Sequence, residues 1–281
     1  MPVAIVTGGP GTIGARICEH LAREGYDVAI GYRQDHEGAR AVADDVEDRS
    51  QQATTLAGDV TDAMVRRRIV QRTVDELGGL DLLVNNAGMR ETEPFLEVPA
   101  GELERTLRLD VAAGFHLAQQ AAEPMLDGDG GAIVNVAAAA GLRADPARAV
   151  FSIAKAGVLA LTRSAAVELA PEVTVNAVAP GFVASADDTD RAPGEQTTVE
   201  EQTPAGRWTS AAEVADAVTY LAQAPATLTG EVLTLDGGLA SQLYPAGDET
   251  DRAGDEELGP GIEQRIEGPP EEAVERHERD R

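Results

Sequence analysis

Residues Val3 to Ile17 read VAIVTGGPGTIGARI. An apolar run of strand length meets Gly8, Gly9, Pro10, Gly11 and Gly14, and then Ile13, Ile17 and Leu21 recur at helical spacing. Glycines in such a turn permit positive φ, and they let backbone N–H groups and the N-terminus of the next helix approach a pyrophosphate. A strand, glycine turn and helix in that order supports dinucleotide binding more strongly than the glycines alone. The pattern repeats outward. Val3 to Thr7, Asp27 to Tyr32, Ala53 to Ala57, Leu80 to Asn85, Ala132 to Ala137, Val173 to Val178 and Glu231 to Leu235 read as strands. Ile13 to Glu24, Glu37 to Asp48, Ala63 to Leu77, Gly101 to Leu126, Val150 to Leu169 and Ala211 to Gln223 read as helices. Strands apolar on both faces, alternating with amphipathic helices, imply an α/β domain: one doubly wound parallel sheet of about seven strands with helices on both faces.

The chain has 281 residues and a net charge of −26, with 49 acidic against 23 basic residues. That balance argues against nucleic acid or an anionic membrane as partner. Acid excess with a single lysine, Lys155, against 22 arginines fits a surface adapted to high salt, where self-repulsion is screened; a GC-rich coding sequence favouring arginine is the alternative. One cysteine, Cys18, excludes an internal disulfide and reads as buried filler on an apolar helix face. The amino terminus enters a strand at once, and no run reads as long enough to span a bilayer, so a cytoplasmic protein is expected. The polar stretch 184–206 has no period and reads as a lid loop. Residues 241–281 are acidic and poor in apolar side chains, and read as a disordered tail. No spacing of Cys, His and carboxylates resembles a metal site, and His20, His36, His116 and His277 read as satisfied or solvated.

The motifs along residues 3–240 resemble the short-chain dehydrogenase/reductase family. Thr7, Gly8, Thr12 and Gly14 nearly match its T-G-x-x-x-G-x-G pattern; AGDVTD, LVNNAG, NAVAPGFV and LTGEVLTLDGG follow in family order. The resemblance implies a Rossmann-type NAD(P)-binding domain over 1–240, acting on a small carbonyl or alcohol. Its cofactor residues fall on Gly8, Pro10, Gly11, Ile13 and Gly14 at the diphosphate, Arg33 after the second strand, Asp59 and Val60 at the adenine. Asn86, Ala87 and Gly88, Lys155, and Pro180, Gly181 and Val183 complete the set. The family's middle glycine is Thr12 here, with Gly11 one place earlier; either Gly11 compensates or a Cβ crowds the diphosphate. At the end of the second strand, Tyr32 stands where an acid would receive the ribose 2′-hydroxyl of NAD, and Arg33 follows, which leans toward NADP over NAD. The family also implies dimers or tetramers through its two long helices.

In the family a tyrosine donates the proton, and a lysine four residues on lowers its pKa and binds the nicotinamide ribose. A serine holds the substrate oxygen, and an asparagine supports a proton relay. Those places are Phe151, Lys155, Ala138 and Asp110, so only the lysine remains. Hydride arriving at a carbonyl leaves an alkoxide that must be stabilised and protonated, and a general acid supplies about 10² to 10⁴ in rate. Ser152 lies one helical step, about 100°, from Phe151, and Tyr26, Tyr32, Tyr220 and Tyr244 belong to other segments. Asp110 either neutralises Lys155 or, with a raised pKa, serves as an acid. Two functions follow: an NADP(H)-binding sensor or noncatalytic subunit beside an active paralogue, or an oxidoreductase in which water or Asp110 supplies the proton.

Overall fold

The first strand, β1 (Val3–Thr7), shows why the chain takes a two-faced sheet. All five of its residues are buried; Ala4 and Val6 point into one apolar cluster and Ile5 into another. A strand sealed on both faces needs helices on both faces. The structure, a computed structural model, describes residues 1–89, 92–184, 201 and 203–241. The 241–281 tail beyond Ser241, and the 184–206 lid apart from residues 184, 201 and 203–206, lie outside the described residues.

The order is β1, α1 (Thr12–Arg23), β2 (Asp27–Tyr32), α2 (His36–Glu47), β3 (Ala53–Ala57), α3 (Ala63–Leu77) and β4 (Leu82–Asn85). Then come α4 (Glu102–Leu107), a π-helical segment Arg108–Ala113, α5 (Gly114–Asp127), β5 (Gly131–Val136), α6 (Ala149–Leu169), β6 (Val173–Pro180), α7 (Ala211–Ala222) and β7 (Val232–Leu235). All seven strands pair in parallel in the order β3-β2-β1-β4-β5-β6-β7. The register runs Ile5 opposite Ala29 on one side and Leu83 on the other. This is the Rossmann-type doubly wound sheet the apolar pattern predicts.

One face packs Ile17 and Leu21 of α1, Val42 and Val46 of α2 and Val214 and Leu221 of α7 against Val28 and Ile30. The other packs Ile69 of α3, Leu117 and Met125 of α5 and Ala166 of α6 against Ile5, Leu83 and Ile133. Each large side chain so buried contributes about 1.5 to 3 kcal/mol. Cys18 belongs to the first cluster, and desolvation pushes its thiol up to about 12, so it is filler as read. Helix ends follow capping chemistry. Asp35 and Asp62 accept from Gly38 N–H and Met64 N–H, and Gly78, at φ 90°, ends α3. Ser210 and Glu213 form a capping box on α7, and Arg207 forks onto the Glu213 carboxylate.

Three sequence expectations change. The helix expected over Gly101 to Leu126 is α4, the π segment and α5: one extra residue is held between two helical pieces, and Gly101 starts α4 from φ 85°. The strand expected from Leu80 begins at Leu82, because Asp81 turns its N–H to Val3 O and its carboxylate to Val3 N–H. The reading that no run reaches bilayer length fails for α6, a 21-residue helix in which an 18-residue window reaches a mean hydropathy of 1.4. Its apolarity serves the core instead: half of that window is buried, with Ala154, Val158, Leu161 and Thr162 packed inward.

Candidate functional site

Strand order reverses between β2-β1 and β4-β5, and the loops leaving β1 and β4 meet at that switch point, where doubly wound sheets bind ligands. The Thr7 hydroxyl accepts from Asn86 N–H and Ala87 N–H, both at 3.0 Å, and donates to Val84 O. The Asn86 amide donates to Thr7 O at 2.9 Å and Gly8 O at 3.2 Å. Asn86 therefore ties the glycine turn to the β4 loop, a positioning part as well as a cofactor candidate.

The turn itself depends on missing Cβ atoms. Gly8 has φ 66°; a Cβ on Gly9 would lie 2.5 Å from Ile30 Cγ2, and one on Gly14 would lie 2.2 Å from Gly8 O. Gly11 is the extended N-cap of α1 and donates to Gly8 O at 3.1 Å, so α1 begins at Thr12. Gly11, at φ −66°, thus stands just ahead of the helix, and Thr12 lies exposed on the first helical turn. Pro10 and Ile13 are half-buried beside it. A tight backbone cradle opening on a helix N-terminus fits a diphosphate.

At the end of β2, Arg33 is exposed and its guanidinium stands 3.9 Å from Asp59 Oδ2. The Thr61 N–H and hydroxyl, with Arg33 helping, hold the Asp59 carboxyl below its usual range. Tyr32 directs its hydroxyl to His36 Nδ1 at 2.8 Å. Val60 is half-buried beside Asp59, and its carbonyl accepts from Arg66. At the opposite edge of the crevice, Pro180 ends β6, Gly181 donates to Leu235 O, and Val183 bridges to Thr209. A Cβ at Gly181 would lie 2.9 Å from Asp236 Cα, so β6 and the segment after β7 touch there.

Three of the four reaction positions, Asp110, Phe151 and Lys155, converge. Lys155 Nζ lies 3.0 Å from Asp110 Oδ2 and 3.3 Å from Val136 O. Asp110 Oδ1 accepts from Met89 N–H at 3.0 Å, whereas Oδ2 makes no aligned hydrogen bond, so its contact with the ammonium is an ion pair. The Phe151 ring centroid is 5.6 Å from Lys155 Nζ, an ammonium over an aromatic ring. Phe151 and Ala138 are both buried. Gly88 passes above the pair; a Cβ there would meet Asp110 Oδ2 and Lys155 Nζ, each at 3.1 Å.

Sequence reasoning missed a polar ladder under this site. Asn85 Nδ2 donates to Asn135 Oδ1 at 2.9 Å, Asn135 Nδ2 to the Thr162 hydroxyl at 2.9 Å, and Thr162 to Val158 O. Two asparagines inside otherwise apolar strands were the available signal. A small cavity beside the ladder is lined by Thr7, Asn85, Asp110, Asn135 and Lys155. His20 contacts Asp216 and His116 contacts Gln119, and the described residues contain no cluster suited to a metal.

The sequence model for short chain dehydrogenases matches residues 2–196. The chain belongs to the short-chain dehydrogenase/reductase family. It is 35% identical over 239 residues to the 3-oxoacyl-(acyl-carrier-protein) reductase FabG of Staphylococcus aureus, covering 84% of this chain and 97% of the relative. To the enzyme of the same name from Vibrio cholerae it is 36% identical over 240 residues, covering 84% and 96%. Among solved structures it resembles a short-chain dehydrogenase/reductase from Serratia marcescens, with TM-score 0.80, 33% identity and coverage of 85% and 98%. The acetoin dehydrogenase of Enterobacter cloacae is similar at TM-score 0.78 and 31% identity, covering 87% and 98%. The chain is thus built as an oxidoreductase of a family that uses nicotinamide dinucleotides and commonly forms oligomers.

Proposed function

We propose that this protein binds NADP(H) at the β1–β4 crevice and is impaired as a carbonyl reductase, serving as a cofactor-binding sensor or as a noncatalytic subunit. The observation that carries the reading is the contact of Lys155 with Phe151: the lysine faces an aromatic ring with no proton to give. Bound nicotinamide supplies hydride transfer. This chain's residues would hold it: the glycine turn and the first turn of α1 at the diphosphate, Arg33 at a 2′-phosphate, Lys155 at the nicotinamide ribose. Proton delivery at the substrate oxygen is what they lack, since Ala138 offers no hydroxyl and Phe151 no phenol.

A second reading has its own support. The relatives are named reductases and dehydrogenases, and Asp110 puts a carboxylate 3.0 Å from the Lys155 ammonium. If that pair passes a proton through water, the chain is an active oxidoreductase on a small carbonyl or alcohol. NADPH titration by calorimetry, followed by NADPH oxidation against a panel of ketones and aldehydes, separates the two. Binding without turnover is expected; robust turnover favours the second reading, and no binding removes both.

The same proposal takes residues 1–240 as the working domain, with 184–206 its lid and 241–281 an acidic appendage. It places the protein in the cytoplasm and in a salt-rich interior suited to its charge of −26. Exposed Phe115 on α5 and Ile153 and Val167 on α6 support assembly as a homo-oligomer, or with an active paralogue, through these helices.

A further inference from the structure

The face of α6 that bears Phe151 and Lys155 begins one turn earlier, at Arg148. Spacings of three and seven residues set Arg148, Phe151 and Lys155 along one side of the helix. Arg148 is the N-cap of α6, and its guanidinium carbon lies 5.7 Å from the centroid of the Phe182 ring. Phe182 follows Gly181 at the end of β6 and packs on Trp208, with centroids 5.8 Å apart. The guanidinium is thus held against an aromatic shelf at the edge of the crevice. Its ion pair among the described residues is with Asp145 Oδ2 at 3.4 Å, a loose contact from one of its nitrogens. The side chain is 31% exposed, so donors remain for a ligand.

A planar cation presented this way matches a carboxylate, which accepts two parallel N–H bonds from a guanidinium. The rest of the chain makes the feature specific. A net charge of −26 repels anions, and Glu93 and Glu102 share a small cavity wall with Arg148, while Phe151 one turn on is apolar; the guanidinium is the group on this side of α6 that a carboxylate can pair with. The seven residues from Arg148 to Lys155 span roughly 10 Å of helix axis. We propose that Arg148 anchors the carboxylate of the protein's second ligand, an elongated oxo or hydroxy acid whose carbonyl or hydroxyl end points toward Lys155. This rests on the proposed function's placing of the nicotinamide end of the site at Lys155.

The test uses the full chain and three probes, 4-oxopentanoate, 5-oxohexanoate and 6-oxoheptanoate, each paired with its neutral amide. NADPH affinity is measured first, and then each probe is titrated calorimetrically into protein with and without NADPH. At least one carboxylate should bind about tenfold or more tighter than its amide. Arg148→Gln should erase that ratio while NADPH affinity stays as in the wild type. Asp145→Asn, which frees the guanidinium, should tighten carboxylate binding about threefold, and this keeps the test decisive if Arg148→Gln folds poorly. Equal binding of acids and amides, or a preference that survives Arg148→Gln, overturns the proposal. Failure of NADPH alone overturns the cofactor reading instead, and the acid-to-amide ratio of the protein by itself still decides the role of Arg148.

Discussion

Lys155 and Asp110 form a buried ion pair, Nζ to Oδ2 at 3.0 Å, with the lysine side chain 8% exposed and the carboxylate fully covered. Removing one partner of such a pair leaves a charge in a poor solvent, and the usual cost is about 3 to 5 kcal/mol. Lys155→Met should therefore lower stability by about 3 kcal/mol, while the double variant Lys155→Met with Asp110→Leu should recover much of the loss. A double-mutant cycle by denaturant unfolding checks this. Additive losses would show that the two groups do not act on one another.

Restoring the family's groups should restore chemistry. Phe151→Tyr, Ala138→Ser and Asp110→Asn together should raise NADPH-dependent reduction of at least one ketone or aldehyde about 100-fold or more. Lys155 already lies beside the ring that would carry the new hydroxyl. Each change alone should do much less, because such groups act as a unit. Initial rates for the three single variants and the triple variant decide the matter.

Cofactor choice should turn on Arg33. The Asp59 carboxylate is held ionised by Thr61, yet it stands 3.9 Å from the guanidinium, which leaves the arginine open to a 2′-phosphate. NADPH should bind about tenfold or more tighter than NADH, and Arg33→Asp should erase or reverse the preference. Titrations at high salt, where the chain's own charge is screened, give both affinities.

Acid should loosen α7. Arg207 and the Ser210 N–H hold the Glu213 carboxyl down to about 2, against an ordinary value of 4.5. A depressed folded pKa stabilises the native state fully above the unfolded value, and that contribution fades as pH falls from about 4.5 through about 2. Because the side chain is 38% exposed, solvent screening limits it to about 1 kcal/mol. Glu213→Gln should be less stable than wild type by that amount at neutral pH, and the two unfolding curves should converge toward pH 2.

Much of the fold is legible in the chain because the inner strands, such as Val3–Thr7 and Val173–Pro180, are buried on both faces. Val3–Thr7, Asp27–Tyr32 and Ala53–Ala57 follow the written pattern residue for residue. The reaction positions are legible only through the family motifs, since nothing in the local spacing of Asp110 links it to Lys155. What stays hidden is tertiary. Asn85, Asn135 and Thr162 lie far apart in sequence and become a ladder only when β4, β5 and α6 pack. Arg148 and Phe182 meet only because α6 starts where β6 ends. The break in the long helix is hidden for another reason: LRLDVAAG has the same apolar spacing whether wound as an α- or a π-turn.

That π segment has a consequence for how this part of the chain tolerates change. Its surplus residue offsets α5 from α4 about the helix axis, and the buried positions Thr106, Asp110, Ala113, Leu117 and Ala121 carry the inward face through it. Substitutions within the segment keep that offset. Deleting one residue would cancel it, turning everything on one side of the cut by about 100° about the helix axis. Either Asp110 would swing away from Lys155 or Leu117 would leave the core. The length of this segment, more than the identity of its residues, keeps the site and the sheet in step.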